Sequence, residues 1–324
     1  YVIISIIMQK LKQTINHAIF LTSWPLTLSQ GSGTALFIKA LKGAVSKTGA
    51  TVDLVNPQLD TTDYVQFTLD RLWFNVQLAS DPELAQADWI LGLDYDGFAL
   101  PRLPHQRFFA SARALFADLV ETEPEPFRTV LRTQAYFERQ NLRSADLVVT
   151  PSEYARGKAI EYYQLPPEKI HVVQNGIDLV EWDTLWASLP EPAPGQPPTL
   201  LAVSKLYPRK RIDVLVRAVP VIRQKYPDVE VRIVGGGFEW ETLRQLSRDT
   251  GAEANITWLG DISDRRQIVK EFKNCHVFSH PSIQEAFGNV ALESMASSRP
   301  LVVSDAAATP DLVRQANSGL IVPA

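Results

Sequence analysis

The chain has 324 residues, long enough for two domains with separate cores. With 45% hydrophobic and 21% charged residues it has an ordinary globular composition, and a net charge of −4 gives no electrostatic case for binding nucleic acid. The single cysteine, Cys275, excludes an internal disulfide and fits a reducing compartment, and the five histidines are too scattered for metal-ligand spacing.

The apolar start, residues 1–8, is too short to span a bilayer and lacks the flanks of a secretory signal. Two readings stand, a true start at Met8 or an extra edge strand or loose terminus. Residues 18–22 read as the first strand, a polar loop runs to Gly31 and Gly33, and Leu36, Phe37, Leu41 and Val45 give helical spacing over 34–46. Residues 51–55 read as the next strand, completing a βαβ opening. A dinucleotide fingerprint fails here, because Leu36 stands where the third glycine belongs. The Gly31/Gly33 pair is read as a turn or as a glycine loop near a ligand.

Residues 87–93 form a buried-strand pattern followed at once by Asp94 and Asp96. Carboxylates at the C-terminal end of a parallel strand point into the crevice where α/β proteins bind ligands, so one could bind or deprotonate an acceptor hydroxyl. An Asx-turn closing the strand explains them equally well. Residues 107–143 are helical in pattern and carry Arg107, Arg113, Arg128, Arg132, Arg139 and Arg143. The plain reading is a solvated or ion-paired face, and attachment to a membrane surface is the alternative. Residues 144–150 read as a strand, with Ser152 capping the next helix, and 169–178 as a strand ending in an Asn-Gly turn.

The proline-rich stretch 189–198 reads as a linker. It divides the chain into an N-terminal domain, 1–188, and a C-terminal domain, 199–324. Beyond it a strand at 199–204 runs into Lys205 and Lys210 at a helix start, cations placed to bind a diphosphate. A strand at 229–234 ends in Gly235, Gly236 and Gly237, which allow close backbone approach, and 256–260, including Leu259, forms a further strand. In the stretch 275–296, an apolar run ends in a loop bearing Glu285. Gly288 then opens a helix through Asn289 and Val290, with Glu293 about one and a half turns in.

This last stretch resembles the Glu-x7-Glu signature of the retaining glycosyltransferases of family 4, group 1. Pro281, Ser282, Glu285, Phe287, Gly288, Glu293, Met295 and Ala296 carry the match. The segments 145–154, 169–178, 204–211 and 300–313 are similar to other family segments. They depart from it in Ser204 and Arg211 for usual glycines, Lys205 for arginine, and Ala306–Ala308 for a Gly-Gly pair. The resemblance implies an α/β GT-B fold, with two Rossmann-like α/β/α domains facing an inter-domain cleft. It also implies transfer of a sugar, with retention and without a metal or other cofactor, from a UDP-, GDP- or ADP-linked donor to an unidentified glycan, lipid or small molecule.

The implied donor residues are Gly31, Gly33, Lys205, Lys210, Gly235, Gly237, Leu259, Glu285, Phe287, Gly288, Asn289, Val290 and Glu293. Glu285 faces the sugar and Glu293 the ribose; many relatives carry a histidine in the region of Asp94 and Asp96, so the resemblance assigns these two no role and leaves the acceptor open. A GT-B 2-epimerase of sugar nucleotides, or a non-catalytic sugar-nucleotide binder, is the alternative function. The expected setting is cytoplasmic, with peripheral attachment at the inner face of a membrane as a variant; the oligomeric state is open. The chain stops where relatives continue, so the strands near Val303 and Val322 are expected to lack part of their helical cover.

Overall fold

The structure, a computed structural model, describes residues 16–26, 28–59, 61 and 63–324. The readings placed on residues 1–8 lie outside the described residues. The chain divides into two units, 1–175 and 176–324, each built on one six-stranded sheet in which every strand pair is parallel.

In the first unit the strands are β1 (His17–Leu21), β2 (Thr51–Val55), β3 (Trp89–Leu93), β4 (Arg107–Ser111), β5 (Leu147–Thr150) and β6 (Ile170–Val172). Their order across the sheet is β2-β1-β3-β4-β5-β6. Helix α1 (Leu28–Ser46) returns the chain from β1 to β2, and α2 (Tyr64–Leu78) from β2 to β3. The direction of winding therefore reverses between β1 and β3. Helix α3 (Phe116–Val120), α4 (Phe127–Ser144) and α5 (Glu153–Tyr163) complete the unit. Phe20, Trp89, Leu91, Phe109 and Val149 form the core, which is apolar on successive residues because parallel strands are covered on both faces.

The second unit has α6 (Leu179–Ala187), β7 (Thr199–Val203), α7 (Ile212–Lys225), β8 (Glu230–Val234), α8 (Trp240–Asp249), β9 (Ile256–Gly260) and α9 (Arg265–Asn274). It continues with β10 (Val277–His280), α10 (Asn289–Ala296), β11 (Leu301–Ser304), α11 (Thr309–Ala316) and β12 (Gly319–Val322). The strand order β12-β11-β10-β7-β8-β9 reverses its winding between β7 and β10.

Several expectations are corrected. The boundary falls after Asn175, at the Asn-Gly turn, and not in the proline stretch. Trp182 of α6 is buried against Phe272 at 5.8 Å, so this helix belongs to the second core. The 189–198 stretch is fastened to α9: the buried Lys273 donates to the carbonyls of Trp186 (3.1 Å) and Leu189 (2.9 Å) and pairs with Glu191, and Gln196 donates to the Asn274 carbonyl. Prolines bar a segment from helix and sheet ladders, but not from packing.

Residues 107–111 form a strand, not a helix. The glycine pair is not in a loop either, since α1 begins at Leu28 and encloses Gly31 and Gly33. Val303 is fully buried, so the loss of cover expected there is not seen; Leu320 and Val322, on the edge strand β12, are exposed.

Candidate donor-binding site

Open α/β sheets bind ligands outside the carboxyl ends of their strands, where the winding reverses. In the second unit that point lies between β7 and β10. The chain leaving β7 carries Lys205 and a 3-10 turn, Pro208–Lys210; the chain leaving β10 carries the loop to Glu285. The two loops are fastened together at Arg209, whose carbonyl accepts from the Ile283 amide (2.9 Å) and the Ser282 hydroxyl (3.2 Å). This brings the Lys210 ammonium onto the Glu285 carboxylate as a largely buried ion pair. His280, at the end of β10, brings its Nε2 to 3.5 Å from the same carboxylate and lays its ring beside Phe278. Burial pushes the Glu285 carboxyl up, but the Lys210 charge and the His280 imidazole outweigh it and hold the group well below the usual carboxylate range. Glu285 is thus a fixed anion at neutral pH.

Two substitutions against the family pattern now have a physical meaning. Arg211 and Ala307 stand where glycine is usual, and both adopt left-handed backbone, φ 50 and φ 62. The conformation costs a side-chain residue about 1–2 kcal/mol. At Arg211 the guanidinium recovers part of this by pairing with Asp213 at 3.1 Å.

Gly288 has φ 95 and caps α10 without a side chain, and its carbonyl accepts the Ala291 amide at 2.9 Å. A Cβ at Gly288 would lie 2.9 Å from Thr309 Oγ1. Asn289 opens the helix. Phe287 is a core residue at 4% exposure, and the partly buried Val290 and Leu259 pack against that core.

Glu293 is buried and pairs with Arg265, whose guanidinium lies 4.8 Å from the Trp182 ring. Burial raises the Glu293 carboxyl more than Arg265 lowers it. Sequence reading missed Arg265 and His280, for which the only signal is one residue on each of two neighbouring elements. The glycines after β8 serve the chain itself: a Cβ at Gly235 would lie 1.8 Å from the Ser204 carbonyl, and one at Gly237 2.5 Å from that of Leu206. They hold the β7 loop, and with it Lys205, against the β8 loop.

The first unit carries the other predicted carboxylates, at its own reversal between β1 and β3. Asp94 and Asp96 have no exposed surface. Asp96 accepts from the Ser23 amide (2.7 Å), the Ser23 hydroxyl (2.6 Å) and Asn75 (2.8 Å); Asp94 accepts from Trp24 Nε1 (2.6 Å) and the amides of Arg113 (2.7 Å) and Ala114 (3.2 Å). Arg71, fully buried, donates to Ser23 and lies between the Trp24 and Tyr95 rings, 4.0 and 4.4 Å from their centres. Asp94 adopts φ 53, which closes the turn. The geometry therefore favours the turn reading over the acceptor reading: these carboxylates clamp the loop after β1 to the loop after β3. Arg71 and Asn75 were not foreseen. Among the described residues, no group of three or more His, Cys, Asp or Glu side chains is placed to hold a metal ion.

Two six-stranded parallel sheets, each reversing its winding once and flanked by helices, match the two-domain α/β GT-B fold. The comparisons agree. The family described as "Glycosyl transferases group 1" matches residues 189–324, and "Glycosyltransferase Family 4" matches 97–181. Both matches support a group 1, family 4 glycosyltransferase. It is 28% identical over 194 residues to the GDP-mannose-dependent alpha-(1-6)-phosphatidylinositol monomannoside mannosyltransferase of Mycobacterium tuberculosis, a match covering 55% of this chain and 48% of the relative. The chain spans about half the length of the curated relatives it matches.

Sucrose-phosphate synthase from Thermosynechococcus elongatus shares the fold with TM-score 0.77 at 18% identity, covering 95% of this chain and 86% of that one. Anabaena HepE, solved with UDP and glucose, has TM-score 0.66 at 18% identity over the same shares.

Proposed function

We propose that the chain transfers a glycosyl group from a nucleoside diphosphate sugar to an acceptor hydroxyl with retention, through a site that needs no metal. The observation that carries this is the Lys210–Glu285 pair at the β7/β10 reversal, with Lys205 on the neighbouring turn. As the sugar–phosphate bond breaks, negative charge grows on the leaving diphosphate. Lys205, Lys210 and the amides opening α10 are the groups that stabilise it, usually the largest catalytic term. Glu285, anionic and held by Lys210 and His280, orients the sugar and stabilises positive character on its ring. Glu293, held by Arg265, faces the ribose. The name of the mannosyltransferase relative and the UDP and glucose in the HepE structure support a nucleotide sugar as donor.

A thermal-shift screen with UDP-, GDP- and ADP-sugars tests this, because a ligand that binds only the folded state raises its melting temperature by mass action. Product analysis by NMR then reads the anomeric configuration. Failure of every donor to shift the transition would refute the reading.

Attachment to a membrane surface is a second reading, favoured by α2. This helix exposes Val65, Leu69, Trp73 and Val76 on one stripe, and tryptophan in such a stripe suits the lipid interface. The relative that acts on a phosphatidylinositol monomannoside is consistent with a lipid acceptor. Among the described residues no helix is long and apolar enough to cross a membrane. Co-sedimentation with anionic vesicles that survives Trp73→Ser unchanged would dismiss this stripe.

A further inference from the structure

We infer that Asp261 is an internal anion that occupies part of the diphosphate site and is displaced when the donor binds, so that this residue sets donor affinity. The inference rests on the reading of Lys205 as a phosphate ligand.

Asp261 follows β9 directly. Its Oδ1 lies 2.8 Å from Lys205 Nζ and accepts the Gly236 amide at 3.1 Å. An ammonium and a backbone N–H after a glycine-rich turn are a donor set that a phosphate oxygen takes. Here a carboxylate oxygen takes it. Gly236 gives the carboxylate room to approach: a Cβ built there would lie 2.5 Å from Asp261 Oδ2, which would have to shift. The glycine between Gly235 and Gly237, both committed to packing against the β7 loop, is therefore the one that admits an anion. The pair is accessible, with Lys205 38% and Asp261 48% exposed. A pair this exposed contributes little and is readily exchanged, unlike the buried Lys210–Glu285 pair.

The two lysines of the site are thus held differently. Lys210 is committed to Glu285, whereas Lys205 is shared with a carboxylate that competes with the ligand. Binding a diphosphate must break the Lys205–Asp261 pair and bring two like charges together, and both effects weaken binding. By holding Lys205 folded back on β9, Asp261 also keeps the cation in place when no donor is bound.

Isothermal titration of wild type and Asp261→Asn with UDP, GDP, ADP, inorganic pyrophosphate and the matching nucleosides tests the proposal. Asn keeps an acceptor for Gly236 while removing the charge. The variant should bind the preferred diphosphate and pyrophosphate about three- to tenfold more tightly, with the gain shrinking in high salt and the nucleoside unchanged. In a Lys205→Ala background the same substitution should give a clearly smaller gain, because only the like-charge repulsion is then relieved. Unchanged diphosphate affinity in Asp261→Asn would overturn the role of Asp261 alone. So would weaker binding, and weaker nucleoside binding would instead make Asp261 a ribose or base contact. If neither protein binds any diphosphate, the donor reading itself fails and the competition with it. Asp261→Ala, scored in the same way, guards against an effect specific to asparagine.

Discussion

Each unit reverses its winding once, between β1 and β3 in the first and between β7 and β10 in the second, and each reversal gathers acidic and basic side chains. Their fates differ. At the first, Asp94 and Asp96 are wholly buried, with their oxygens used by Ser23, Trp24, Asn75 and the 113–114 amides, and Arg71 is sealed between two aromatic rings. At the second, the charges sit on loops tied to each other through Arg209, and part of the cation set, Lys205, reaches solvent. The same topological place is in one unit a closed clamp and in the other a charged, accessible site. A position at the end of a parallel strand is thus an opportunity for ligand binding, which neighbouring side chains either consume or leave open.

The largest expected effect breaks the clamp. Asp96→Ala leaves the buried Ser23 and Asn75 donors without their acceptor, at about 1–3 kcal/mol for each group left unpaired, so the first unit should be strongly destabilised. Urea denaturation measures it. Nucleotide binding by the second unit should persist while that unit stays folded. A loss under about 1 kcal/mol would mean that Asp96 is not structural, and would reopen an acceptor role.

The next effect is catalytic. Glu285→Gln keeps the shape but removes the charge, and turnover should fall by about 10²–10³, the scale of losing one preorganised electrostatic contact, while donor affinity moves only a few-fold. Steady-state kinetics beside calorimetry separate the two. An unchanged rate would reduce Glu285 to a structural partner of Lys210. Lys210→Ala should weaken binding of the preferred nucleoside diphosphate by about 1.5–3 kcal/mol. Calorimetry showing equal affinity would remove Lys210 from the phosphate site.

Much of this was legible in the sequence, and what was not has identifiable causes. The strands β2 and β9 were read with their observed bounds although, at the sheet edges, they are only half-buried. The donor loops were legible because lysines and glycines follow directly on apolar runs. Helix α2 was not read, because its pattern is inverted: it buries Thr68, Arg71 and Asn75 and exposes Val65, Leu69, Trp73 and Val76. Periodicity finds the stripe but assigns the apolar side to the core, which would turn Arg71 and Asn75 away from Asp96. The domain boundary was misplaced because prolines are conspicuous, whereas the burial of Trp182 depends on Phe272, ninety positions on. Pairings such as Arg265 with Glu293 leave no local trace.

The smallest expected effect sharpens the comparison through one glutamate in each unit. Glu138, on α4, is fully buried, with Oε2 accepting from the Phe116 amide at 2.8 Å and from the Tyr163 hydroxyl. Burial, with the nearby Asp94 charge adding to it, pushes its carboxyl up to about 8. Glu285 is largely buried, but the Lys210 ammonium drives it the other way. Their linkage to stability therefore has opposite sign. Glu285 contributes stability that is present above the ordinary carboxylate range and lost only as pH falls below it, so it adds no slope between pH 6 and 9. Glu138 binds a proton in the folded state that the unfolded chain has released, so stability declines as pH rises from the ordinary carboxylate range through about 8 and is flat above. Between pH 7 and 8 its contribution is at most about 1.4 kcal/mol. Glu138→Gln, neutral at every pH, should flatten the dependence of the urea midpoint between pH 6 and 8 and leave that between pH 8 and 9 alike in both proteins. Equal slopes in wild type and variant below pH 8 would mean that Glu138 is ionised in the fold.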